Sequence, residues 1–168
     1  MKRMMSVAIM ATFAAVPALA QDELLDYAET QNWSIAIDPT LNNGCLMISE
    51  FEDNSVVRIG IDMTTGDGYI LSANPAWQGI EEGQTYPVTI AVDDATFDGV
   101  ATGYPIDGLP GANVDFDNPD FLAGLVNAES LTLTHEGTDV MSLDITGSAD
   151  AVAKLIECQD AQNAASGG

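Results

Sequence analysis

A mainly β domain, an antiparallel β-sandwich or barrel-like fold with a short helix before the last hairpin and a C-terminal helix, is what this sequence predicts. Three observations carry the prediction. Apolar and polar residues alternate with period two through most of the chain, as in Trp33-Ser34-Ile35-Ala36-Ile37-Asp38. The alternating runs are short and are separated by turns rich in Gly, Asn, Asp and Pro. No repeat or linker divides residues 21–160, which read as a single β-rich domain with room for a real core, followed by a flexible tail over 161–168.

In chain order, Asp22 to Ala28 has acids in its first turn and apolar residues at near-helical spacing, which predicts a short helix. Trp33–Asp38 is the first strand and stops at Pro39. Asn42-Asn43-Gly44 turns the chain into a second strand over Cys45–Phe51, and Glu52 to Ser55 turns it again into Val56–Asp62. A turn from Thr64 to Gly68 leads to Tyr69-Ile70-Leu71. Connections this short make hairpins, so the run is an antiparallel meander. After an irregular link containing Trp77, Tyr86–Asp93 alternates cleanly, and Phe97–Gly103 can pair with it. The stretch from Tyr104 to Pro119 carries Pro105, Pro110 and Pro119 among Gly and Asp, and reads as loop. Asn118 as cap and Pro119 at the first helical position predict a short helix through Val126. Leu131–His135 and Val140–Ile145 form a hairpin around Glu136-Gly137. Ser148 then caps a helix from Ala149 to about Cys158, with Ala151, Val152, Leu155 and Ile156 as its apolar stripe.

Residues 1–20 have the pattern of a cleaved signal peptide: Lys2 and Arg3, an apolar run from Ser6 to Val16, and Ala18-Leu19-Ala20 before Gln21. The apolar run is too short to span a bilayer, which needs about 20 residues. Export to the periplasm or the cell exterior, without membrane insertion, is the expectation. Cleavage removes two cations and leaves Arg58 and Lys154 against 26 acidic residues. Nucleic acid and anionic membrane surfaces are disfavoured as partners, because almost nothing remains to neutralise phosphate. A protein or other cationic ligand is permitted. The acids are spread along the chain, however, which is also how adaptation to salty water looks. The only cysteines, Cys45 and Cys158, are an even pair in an oxidising compartment and predict a disulfide.

Catalytic chemistry is poorly supplied. His135 is the only histidine, falls in step with Leu131 and Leu133 on the core face of its strand, and has no Gly-x-Ser-x-Gly serine to serve. One His and two distant Cys do not make a zinc site. Carboxylate pairs are too abundant to single one out for glycoside chemistry, and Trp33, Trp77 and Tyr104 show no pattern linking them to such a pair. No cofactor motif is present, and calcium is the one ion worth considering. Asp115, Asp117 and Asp120 start like a calcium loop but lack its central Gly and closing Glu, and the same residues suit helix capping. The acidic turn from Asp62 to Asp67 is a weaker candidate.

The last third of the chain resembles the invasion-associated locus B family. The resemblance rests on Phe121-Leu122-x-x-Leu125-x-x-Ala128-x-x-Leu131, Glu136-Gly137-x-x-Val140-x-x-Leu143-x-Ile145-x-Gly147 and Ala151-Val152-x-x-Leu155. Trp33 followed by Gly44-Cys45 is similar as well. The resemblance implies a small exported bacterial protein with a β-sandwich-like fold and a link to host-cell interaction, and it brings no catalytic residues. The middle of the chain departs, lacking an additional cysteine-containing segment. Together these readings predict an exported, acidic, non-enzymatic binding protein. The alternatives are a calcium-binding envelope protein using Asp115, Asp117 and Asp120, or an inhibitor of a basic hydrolase.

Overall fold

The computed structural model describes residues 24–106, 108–117, 121, 124–126 and 128–167. Residues 1–20, expected to be a signal peptide, and Asn118, Pro119 and Asp120, expected to start a helix, lie outside the described residues. Among the described residues, ten strands form one antiparallel sheet. They are β1 Leu25–Glu29, β2 Ser34–Asp38, β3 Gly44–Glu50, β4 Val56–Asp62, β5 Asp67–Ala73, β6 Thr85–Val92, β7 Ala95–Gly103, β8 Gly111–Phe116, β9 Ser130–His135 and β10 Thr138–Asp144. Helix α1, Ser148–Ser166, follows. The spatial order is β1-β2-β3-β4-β5-β8-β7-β6-β9-β10, so the sheet is not closed.

The mainly β prediction holds, and the local chemistry explains why. The β2-to-β5 meander turns where Asn42 and Asn43 (φ 55° and 61°), Asn54 (φ 61°) and Gly66 (φ 88°) accept left-handed backbone. The β9–β10 turn has positive φ at both central residues, Glu136 and Gly137, which matches the twist of the strands it joins. Strand pairing sets Ile35, Met47, Ile59, Ile70 and Val114 side by side in one row. A second row runs Ile90, Leu133 and Met141. These rows lie far apart in the strand order yet belong to one buried cluster, so the two leaves of the sheet face each other like a sandwich. On the outside of the first leaf, Leu46, Tyr69 and Leu71 pack with Ile106 from the β7–β8 connection.

Four local expectations are corrected. The described part of Asp22 to Ala28 is not a helix but enters β1, which pairs with β2 across a bulge between Asp26 and Ala28. The supposed loop from Tyr104 to Pro119 contains β8, held on both sides by β5 and β7. Helix α1 does not stop near Cys158, and runs through the predicted tail to Ser166. Its cap is Gly147 in left-handed conformation, not Ser148, whose hydroxyl donates instead to the Leu125 carbonyl at 2.6 Å. Before β9, Phe121, Gly124 and Leu125 are helical.

Strand β8 joins the leaves sparingly. It pairs with β5 along its whole length but with β7 only at Val114–Ala101, Asn113–Thr102 and Ala112–Gly103. Where β7 and β8 diverge, buried Phe121 fills the gap. Its ring centroid lies 5.3 Å from that of Phe97, edge-on, and 4.3 Å from that of Phe116. Helix α1 buries Ala151, Val152, Leu155 and Cys158 and packs against β2 and β3. Cys158 is bridged to Cys45 with a Cα–Cα distance of 6.1 Å. The side-chain oxygen of buried Gln159 accepts the Cys45 amide at 2.9 Å beside the bridge.

Asp93 clamps the start of β9. Its carboxylate accepts the Ser130 amide at 2.9 Å, the Glu129 amide at 3.1 Å and the Ser130 hydroxyl at 3.0 Å. The Ser130 amide, foremost among these bonds, holds its pKa below the ordinary carboxylate value. A depressed folded pKa makes the stabilisation fully present above the unfolded value near ~4 and lost as the pH falls through the lower folded one. Urea midpoints at neutral pH and at acid pH are therefore expected to differ less for Asp93→Asn than for the unsubstituted protein. Parallel pH profiles for the two would refute the clamp.

Candidate functional site

An open groove forms where the β1–β2 turn, the β3–β4 turn and the end of β10 meet. It comprises two adjoining hollows of about 620 Å3 and 680 Å3 that share Gln31, Asn32, Phe51, Glu52 and Asp144 in their walls. Trp33 and Phe51 contribute the aromatic part of the wall, edge-to-face with centroids 6.2 Å apart. Asn32 ties the first turn to the last by donating its side-chain amide to the Thr146 carbonyl at 3.2 Å.

Five exposed carboxylates, Glu29, Glu50, Glu52, Asp53 and Asp144, line the groove, and no Lys, Arg or His does. Two of them are held in the charged form by local bonds. The Ser55 hydroxyl lowers the Asp53 pKa most, followed by the Ser55 amide at 3.0 Å, and the Asn74 side-chain amide adds to the effect. Thr146 lowers the Asp144 pKa through its hydroxyl and its amide, the latter at 2.9 Å. The groove thus keeps negative charge into mildly acid conditions. Of the two cations beyond residue 20, Lys154 is engaged by Glu157 at 2.6 Å, and Arg58 lines a different hollow with Asp38, Asp62 and Tyr104.

The residues singled out from sequence are scattered. Asp115 is exposed near the end of β8 and accepts the Asn113 side-chain amide at 2.7 Å. Asp117 follows the strand and lines a hollow beside Phe116 and Phe121, while Asp120 lies outside the described residues. Among the described residues, no three His, Cys, Asp or Glu side chains are grouped to hold a metal ion. In the turn from Asp62 to Asp67, Asp62 accepts the Thr64 amide at 2.7 Å and its hydroxyl at 2.6 Å. His135 is half-buried at the end of β9, its Nδ1 at 2.7 Å from the Pro87 carbonyl. Trp33, Trp77 and Tyr104 line three different cavities. The groove acids escaped the sequence reading because they come from three separate connections, and the only trace they leave is an acidic residue at or just past several strand ends.

No helix among the described residues is long and apolar enough to cross a membrane. No family model and no curated protein matches the chain. Among solved structures, the fold is similar to the crystal structure of invasion associated protein B from Bartonella henselae, with a TM-score of 0.55 and 17% identity. The match covers 79% of this chain and 97% of that one. At that identity the likeness is one of fold, and it agrees with the β-sandwich-like architecture that the resemblance in the C-terminal segments implies.

Proposed function

We propose that this chain is an exported, acidic, non-enzymatic binding protein whose groove receives a basic protein segment. The observation that carries the reading is the groove itself, with five carboxylates on three connections and no cation in its wall. Each exposed ion pair contributes only about 0.2–1 kcal/mol, so several must act together, and a shared field also speeds encounter with a cationic partner. Export is supported by the N-terminal segment and by the buried disulfide, which suits an oxidising compartment. The non-enzymatic reading is supported by His135, whose one hydrogen bond among the described residues goes to a backbone carbonyl rather than to a carboxylate or hydroxyl. The Bartonella henselae protein is named for invasion. Contact with host cells extends to the present chain as a proposal by analogy of fold alone.

Calorimetric titration with a lysine-rich peptide tests the reading. The triple variant Glu50→Gln, Glu52→Gln, Asp144→Asn is expected to bind about tenfold more weakly than the parent at low salt, with a flatter salt dependence. A control variant with Asp67, Glu82 and Glu136 neutralised should keep most of the affinity. Equal weakening by both variants would mean that diffuse charge, not the groove, does the binding.

A further inference from the structure

A separate hollow, of about 290 Å3, lies between the β5–β6 connection and strands β6, β7, β8, β9 and β10. Its chemistry is opposite to that of the groove. Trp77, Ile80, Tyr86, Val88, Leu133 and Val140 supply apolar or aromatic wall, and in a chain with 26 acids none of the lining residues is Asp or Glu. Space exists because Ala101 and Ala112 stand on the inner face, where nearby positions carry Val, Ile or Leu.

The wall is built in advance. Trp77 Nε1 donates to the Val140 carbonyl at 3.0 Å. The Tyr86 hydroxyl accepts the Glu81 amide at 2.9 Å and donates to the Gly79 carbonyl at 3.3 Å. These bonds fix both rings and satisfy their polar atoms within the protein. His135 stands edge-on to Tyr86 with centroids 5.9 Å apart. Its Nδ1 faces the Pro87 carbonyl, which can only accept, so Nδ1 carries the hydrogen and Nε2 of the neutral ring is an acceptor. No described residue donates to that Nε2.

We infer that this cleft binds a small, uncharged, ring-bearing molecule that donates one hydrogen bond, as a phenolic hydroxyl does, to Nε2 of His135. An ion would lose its hydration against walls that carry no Asp, Glu, Lys or Arg side chain. At ~30 Å3 for each water displaced, the volume holds roughly ten waters, which suits one fused pair of rings rather than a lipid or a polymer. A concave, mostly apolar, preformed pocket with few polar groups, here His135 and the side chain of Gln78 at the rim, is the usual form of a small-molecule site.

Equilibrium dialysis of the oxidised chain with naphthol, naphthalene and naphthoate tests the inference. Naphthol should bind saturably, naphthalene about fivefold more weakly for want of one neutral hydrogen bond, and naphthoate not measurably. His135→Phe keeps the ring and removes the acceptor. It should bring naphthol down to the naphthalene value and leave naphthalene unchanged. Ala101→Leu fills the hollow and should abolish binding of both, with a melting curve as the control for folding. If Ala101→Leu does not fold, the His135→Phe comparison decides alone. Absence of saturable naphthol binding, naphthoate binding as tight as naphthol, or naphthol binding unchanged in His135→Phe would each overturn the inference.

Discussion

Reducing the Cys45–Cys158 bridge, or replacing both residues by Ala, is expected to cost about 4–5 kcal/mol of stability and roughly 10–15 °C in melting temperature. The bridge spans 113 residues of sequence, and loop-closure entropy in the unfolded chain grows with that span. Its second contribution is local. Helix α1 has no side-chain cap and only a narrow buried face, so its stability depends on docking against β2 and β3. The bridge holds that docking in place together with the Gln159–Cys45 bond. Thermal melts of oxidised and reduced protein at equal ionic strength measure the effect. A difference below about 3 °C would remove the bridge from the account of stability.

Phe121→Ala is expected to cost about 3–5 kcal/mol in urea denaturation with an unchanged m-value, because it empties the gap between diverging strands rather than trimming a surface. Phe121 is 2% exposed and touches Phe97 from β7 and Phe116 from β8, so its removal leaves two rings without their partner. Phe121→Leu keeps most of the volume and should cost about 1.5 kcal/mol or less. Were the two variants equally mild, the strands would have to close without the plug.

The meander from β2 to β5 is legible in sequence because each strand alternates and each connection is short, so local pattern and tertiary structure agree. Where they disagree, tertiary contacts override the local pattern. In β1 the bulge between Asp26 and Ala28 breaks period two, so five residues with scattered apolar positions look helical. In β8 the sequence Gly-Ala-Asn-Val-Asp-Phe has low strand propensity, and only its two neighbours, which bury Ala112 and Val114, make it a strand. Gly111 at its start is required by space: a Cβ there would lie 2.5 Å from the Tyr104 carbonyl oxygen. The end of α1 lacks an apolar stripe, although its Ala and Gln residues are good helix formers. Neither cavity was legible, because each gathers residues from at least three connections or strands that no sequence window contains.

The three residue pairs between β7 and β8 have a consequence for how the molecule opens. The β1-to-β5 leaf and the β6, β7, β9, β10 leaf are each assembled from antiparallel neighbours, and β8 alone carries the strand ladder from one to the other. Separating the leaves there breaks fewer rungs than separating any other pair of adjacent strands in the sheet. Because both leaves bury one shared apolar cluster, parting them at that seam exposes the core, and the slowest amides of the two leaves are expected to exchange together in native-state hydrogen exchange. The two covers on either side of that narrow spine are thus held shut by what lies between them, and they open as one event.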